Sequence, residues 1–472
     1  MENHGSERLP RGPVLLSETA SARKGFLESR LNDFDPAVRR AALHELTACA
    51  AAEIPPAAGP LHETVNMHCH TFFSFNAHGY SPSALAWLGK KLGLSVMGIV
   101  DFDVLDGVEE FLSSCRLVGI RGSAGIETRV FVPEFSSREI NSPGEPGICY
   151  EMGIGFVSGL AFGRAGEILE GLTRRSSERN REMLLRLNER LAPVSVDYER
   201  DVLPHTPKGN ATERHMLAAC VSAAERAHPD RAGRARFWAE RLSMAPVDVE
   251  TLMDDEPGFQ NVIRGTLMKR GGVAYVPPGP ESFPSVDEFH EMVRLLGALP
   301  CFAWLDGTSE GEGAIEELLS LMISKGAAAV NVIPDRNWNV GDPREKETKV
   351  ENLRRFIRIA STLDLPVNAG TEMNRPGLKL VDDFDVPELA PARRAFIDGA
   401  YFIYGHTLME RARGMGYQSG WAQGAFSARG EKNAFYTRIG RIVPPGESGV
   451  EALRAVNGEM PPDEVLSMLG KG

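Results

Sequence analysis

The chain has no CxxC pair and no dense cysteine framework; its six cysteines, at 49, 69, 115, 149, 220 and 301, are scattered over 472 residues. That excludes a disulfide-stapled scaffold, and the apolar runs around these cysteines point to buried, reduced thiols in a cytoplasmic protein. Positive charge is also short. With 52 Lys and Arg against 64 Asp and Glu, the formal net charge is −12, so broad contact with nucleic acid would meet like-charge repulsion. A local basic pocket for one small phosphate is compatible with that balance. Long apolar runs are missing too: LSVMGIV at 94–100 is far below the ~20 residues that span a bilayer. The opening MENHGSERLPRG is polar, without an apolar signal core. The expectation is a soluble chain with no membrane partner.

What is present is an ordinary globular balance, 42% hydrophobic and 25% charged, enough for one large domain with additions. Residues 1–60 read as a helical N-terminal extension. Phe26, Leu27, Leu31, Val38, Leu43 and Leu46 recur at roughly helical spacing, Asp35-Pro36 has the form of an N-cap and first helical residue, and IPPAAGP at 54–60 is a linker. From Val65, short β-type runs (TVNMHCH, LSVMGIVDF, RVFVPEF, ICYEMGIGFV) alternate with helical segments at 82–92 and 107–112. Such alternation predicts a parallel sheet or barrel with functional groups at the strand ends. Between about 158 and 270 the strands stop, and the charged runs 167–191 and 212–242 predict a helical insertion. Strands resume at 273–276, 299–304, 327–333 and 365–369, so that 61–380 forms one barrel domain, and 381–472 is a helical C-terminal extension. Its Gly-rich stretch 414–430 lacks the Lys-Ser/Thr ending of a phosphate loop.

The sharpest local feature is His68-Cys69-His70. On a strand both imidazoles point into one space, which suits a metal clamp, although HxH alone also describes two ordinary histidines. Thr71, Ser74 and Ser81-Pro82 follow, then Leu92-Gly93-Leu94, a strand leading to Asp101-Phe102-Asp103, and Gly125-Ile126-Glu127 ending another. Further on come Gly153-Ile154-Gly155-Phe156, Arg214-His215, the strand Cys301–Trp304 and Ala369-Gly370-Thr371-Glu372-Met373-Asn374.

This order resembles the PHP family, named for polymerase and histidinol phosphatase, over roughly residues 62–376. It is most similar to the subgroup of phosphoesterases acting on nucleotides, which carries a helical insertion. The resemblance implies an α/β fold, a distorted seven-stranded (β/α) PHP-type barrel. It also implies a metal set, and here the departures are informative. Asn76, Phe102, Tyr150, Trp304 and Asn374 stand where the family has metal ligands. What survives is one family site, His68, His70, Glu127 and Glu372, implying a single divalent cation, Zn, Mn or Fe. Arg214 and His215 match a phosphate-positioning motif, or are residues of a surface helix. Asp101 could hydrogen-bond a ligand histidine or simply end its strand; Asp103 and Asp106 could act as a general base or cap the next helix. His78 is a substitute ligand or a loop histidine, His406 is structural, and Phe102 and Trp304 fill the volume of lost metals or stack a ligand. The implied activity is metal-dependent hydrolysis of a small phosphorylated substrate, nucleotide-like or a sugar phosphate. The alternative is a degenerate, non-catalytic barrel kept as a metal- or ligand-binding scaffold. The helical ends pack on the barrel or form a homo-oligomer contact.

Overall fold

The computed structural model describes residues 13–50, 63–279 and 281–470. Seven strands form one sheet in sequence order: β1 Val65–Cys69, β2 Val96–Phe102, β3 Arg121–Phe131, β4 Ile148–Phe156, β5 Leu299–Trp304, β6 Ala329–Val332 and β7 Val367–Ala369. The two edges of the sheet meet just past β1 and β7. There Cys69 bridges Glu372, and the His70 N–H donates to the Glu372 carbonyl at 2.9 Å. A nearly closed barrel results. Gly370 permits the closure, since a Cβ there would lie 2.3 Å from the His68 nitrogen.

Two expectations from the sequence need correction. The sheet is mixed, because β4 runs antiparallel to both β3 and β5. The segment 132–147 between them holds only the short helical turn Pro133–Phe135 and no crossover helix, and the Val132 N–H donating to Gly147 O at 2.8 Å brings the chain straight back beside β3. β3 also does not end at Glu127; it continues to Phe131, and the ladder pairs Arg129 with Tyr150 of β4. The second correction concerns 273–276, which is a turn and coil rather than a strand. Gly271-Gly272 precede it, Pro277-Pro278 follow, and the Ala274 N–H turns back to Leu267 O at 2.8 Å.

Helices surround the barrel. α1 (Pro13–Arg30) and α2 (Pro36–Ala50) precede β1, and Asp35 Oδ1 accepts from Ala37 N–H at 2.8 Å as the Asp-Pro pair leads one to expect. The expected linker at 54–60 lies outside the described residues. α3 (Pro82–Lys91) is capped by Ser81, whose hydroxyl accepts from Ala84 N–H at 3.0 Å, and stops before Gly93 at φ +67°. α4 (Val108–Val118) follows β2. The helix Arg393–Arg413 lies at the opposite end from the strand ends that carry His68 and Glu127: Gly399 sits against Val367 O and Gly155 against the His406 ring. His406 there is buried, with Nδ1 accepting from Tyr417 N–H at 3.0 Å. One end of the barrel is thereby covered, leaving the other for a site.

Among the described residues 157–279 no strand occurs. This segment, led by α5 (Gly163–Leu191) and α6 (Glu213–Ala227), encloses its own core of Leu187, Leu191, Met216, Trp238 and Phe259, separate from the barrel core. Asn210 ties it to the barrel mouth, donating to Phe73 O at 3.0 Å and Phe102 O at 2.7 Å. Of the six cysteines five are buried; Cys49, contrary to the expectation of a buried thiol, is exposed on α2. No described helix is long and apolar enough to cross a membrane.

Candidate functional site

His68 and His70 leave the end of β1 on one side, fully buried, and Glu127 meets them from β3. Glu127 Oε2 lies 3.3 Å from His68 Nε2 and 3.1 Å from His70 Nε2. Ligand atoms of the three residues all fall within 4.8 Å of one another. Donors held 2.0–2.1 Å from a tetrahedral cation are about 3.3 Å apart, so the spacing suits a metal.

The hydrogen bonds behind the imidazoles decide how their nitrogens are used. His68 Nδ1 lies 2.9 Å from Asn331 Oδ1, an oxygen identified by the Asn331 amide nitrogen donating to Asn368 Oδ1 at 2.5 Å. His70 Nδ1 lies 3.2 Å from Ser74 Oγ, which itself donates to Asp101 Oδ1 at 2.7 Å. Both Nδ1 atoms therefore carry the proton, and both Nε2 lone pairs face the Glu127 carboxylate. Among the described residues His70 Nε2 has no hydrogen-bond partner, for its 3.1 Å approach to Glu127 lacks the alignment of one. Two lone pairs and a buried carboxylate converging without a donor between them fit a cation. Without one, a proton serves: although burial opposes it, the two imidazoles bring Glu127 down to about 2, and burial of His68 is outweighed by Glu127 and Glu372, which raise it.

Glu372 is brought near but not into this cluster. Both its carboxylate oxygens contact Arg336 Nη2, at 3.2 and 3.1 Å. Asp101 is buried behind the site, accepting from Thr71 N–H and Oγ1, each at 2.7 Å, as well as from Ser74. It holds the loop that carries His70. Asn76 braces the same loop, donating to His70 O at 2.8 Å. Phe102 stacks on His70 at 4.4 Å, and Trp304 is buried against Phe356 at 4.5 Å, so both occupy volume as aromatics. His78 is exposed and stacks on Tyr80.

In front of the cluster lies a cavity of about 240 Å³ between barrel and insertion, which Glu127 and Glu372 help to line. Seven cationic side chains, Arg129, Arg179, Arg214, Arg264, Lys269, Arg336 and Arg375, line it against four carboxylates. In a chain of net charge −12 this is a concentrated cationic surface. Glu213 neutralises Arg264 at 2.6 Å and Lys269 at 2.9 Å. Arg214 has no such direct partner: among the described residues nothing hydrogen-bonds or ion-pairs with its guanidinium, and burial together with Arg264 pushes it down to about 10 against the pull of Glu213. Arg179 is likewise brought to about 10 by burial and Arg129. Two poorly compensated guanidiniums facing one cavity make an anion site.

Asp103 lines the cavity and accepts from Thr128 Oγ1 at 2.6 Å; burial raises its carboxyl, against the pull of Arg179. It caps no helix, since Gly107 occupies the N-cap of α4 without a side-chain bond, and Asp106 pairs with Lys208 at 2.9 Å. His215 does not line the cavity. Its Nδ1 accepts from Thr212 N–H at 3.0 Å in a capping box of α6, and burial lowers it to about 4. Sequence reasoning missed Arg129, Arg264, Lys269, Arg336 and Arg375 as lining residues, and Asn331 as the partner of His68.

Two solved structures are similar to the chain at a low level. An amidohydrolase from Chromobacterium violaceum, with bound sulfate and no metal, gives a TM-score of 0.46 at 15% identity, covering 70% of this chain and 95% of that one. A suspected metal-dependent phosphoesterase from Bifidobacterium adolescentis gives 0.44 at 20% identity, covering 70% and 96%. No protein-family model matches the chain, and no curated protein matches it.

Proposed function

We propose that the chain is a metal-dependent phosphoesterase of the PHP kind, acting on a small phosphorylated molecule with one divalent cation held by His68, His70 and Glu127. The observation that carries this reading is that Glu127 belongs both to the buried ligand cluster and to the wall of the cationic cavity. A cation and an anionic ligand would thus be neighbours. When bound, Zn, Mn or Fe supplies Lewis acidity at neutral pH.

The chain's own groups do the rest. Arg214 and Arg179 hold phosphate oxygens, for which the planar guanidinium is suited. Asp103, raised by burial and inside the cavity, is placed to exchange a proton with substrate. Asp101 is a positioning residue that acts on His70 through Ser74 and the Thr71 loop. His215 serves Arg214 indirectly by capping the helix that presents it.

The test is turnover of a generic aryl phosphate by the full chain with added Mn²⁺ or Zn²⁺. Cation-dependent release of phosphate, abolished by His68→Ala, is the expected result. Cation binding with no release from any of a panel of phosphomonoesters would favour the scaffold alternative.

A further inference from the structure

Glu372 sits at a costly place. Its φ is +60° and that of Met373 is +59°, a left-handed pair that costs non-glycine residues about 1–2 kcal/mol each. Strain of this kind persists where the surroundings over-determine it, often at functional positions. Here the His70 N–H and the Cys69 bridge pin the Glu372 backbone directly beside the ligand strand. The side chain is nearly buried, at 5% exposure, yet its carboxylate is held only loosely. Both oxygens share one nitrogen, Arg336 Nη2, at 3.1–3.2 Å, instead of the two parallel bonds a guanidinium can offer. Arg336 Nε is buried and has no hydrogen-bond partner among the described residues. The pair is therefore incomplete from both sides.

We propose that Arg336 and the bound cation compete for the Glu372 carboxylate, so that Arg336 sets how tightly the barrel mouth holds a cation. The proposal rests on the reading that His68, His70 and Glu127 hold one. The Glu372 backbone is already pinned next to His70, so the exchange is one of side-chain rotation. When Glu372 turns to the cation, Arg336 keeps its place on the cavity wall and gains donors for an anion. Cation and phosphate then strengthen each other's binding, by the same factor in each direction.

The experiment is calorimetric titration of Mn²⁺ into the full-length protein and three variants: Arg336→Met, Glu372→Gln and the double substitution, each first checked for folding by circular dichroism. Arg336→Met is expected to bind about ten-fold tighter, a change of ~1.4 kcal/mol. Glu372→Gln should cancel that gain in the double variant while costing the native protein no more than about three-fold, the signature of a coupled pair. Unchanged or weaker binding in folded Arg336→Met overturns the proposal and leaves the three-residue site standing. No binding by the native protein, with His68→Ala indistinguishable from it, overturns both. Should Arg336→Met fail to fold, Arg336→Gln carries the same expectation and the same contrary outcome.

Discussion

Asn331 Oδ1 accepts from His68 Nδ1 at 2.9 Å, and the asparagine cannot flip because its amide nitrogen is engaged by Asn368 Oδ1 at 2.5 Å. This fixes the His68 tautomer that offers Nε2 to a cation. Asn331→Ala should leave the three ligands in place but lower cation affinity by roughly 10–100-fold, the usual cost of losing such a partner. Titration calorimetry on the folded variant measures it. An affinity within two-fold of native would show that Asn331 is only packing.

The same cluster sets a pH dependence. Glu127 is depressed from 4.5 to about 2, so its contribution to stability is present above about 4.5 and fades as pH falls towards 2. His68 is raised above 6.5, so its contribution is full below 6.5 and is lost as pH rises through its folded value. The cation-free protein should therefore melt at a higher temperature at pH 5.5 than at pH 8.5, and His68→Ala should narrow that difference. Cation affinity should run the other way, rising with pH as the proton on His68 leaves, with proton release detectable by repeating the titration in buffers of different ionisation enthalpy. Affinity that is flat from pH 6 to 8 contradicts the assignment.

Arg214 and His215 are neighbours with different tasks. Arg214→Ala should raise KM for a phosphorylated substrate by about 10–100-fold, since a hydrogen bond to a charged group is worth ~1.5–3 kcal/mol, while the melting temperature hardly moves. His215→Ala removes half of a capping box and should lower stability by about 1 kcal/mol. Chemical denaturation and steady-state kinetics on both variants separate the two. Equal effects of the two substitutions on KM would deny the distinction.

Asp101 accepts three hydrogen bonds inside the protein. Asp101→Ala leaves those donors unsatisfied and should destabilise the fold by about 2–4 kcal/mol, with cation affinity falling as the His70 loop loosens. A variant of native stability, measured by urea unfolding, would show the loop to be held by other contacts.

The ligand strand was legible because alternation on a strand is a local rule: His68 and His70 share a face whatever surrounds them. Glu127 was legible as an acidic residue on the next strand but one. Arg129 obeys the same rule, two residues on, and opens the β-type run RVFVPEF; what the sequence did not show is that this run continues the Glu127 strand, which follows from its pairing with the antiparallel β4. The remaining cations are a different case. Arg264 and Lys269 reach the cavity through packing of an insertion with its own core, and Arg336 meets Glu372 across 36 residues and two strand ends. No spacing in the sequence encodes these meetings. The absence of a strand at 273–276 was signalled locally, by Gly-Gly before and Pro-Pro after, and outweighs the β-type residues between.

Everything rests on a cation at the end of β1, and counting it is the most direct trial. After dialysis against buffer containing micromolar Zn²⁺ and Mn²⁺ and then against metal-free buffer, the full chain should retain close to one equivalent of divalent metal by elemental analysis. The His68→Ala/His70→Ala variant should retain almost none. A native protein that emerges without metal, or a double variant that keeps as much as the native chain, contradicts the account.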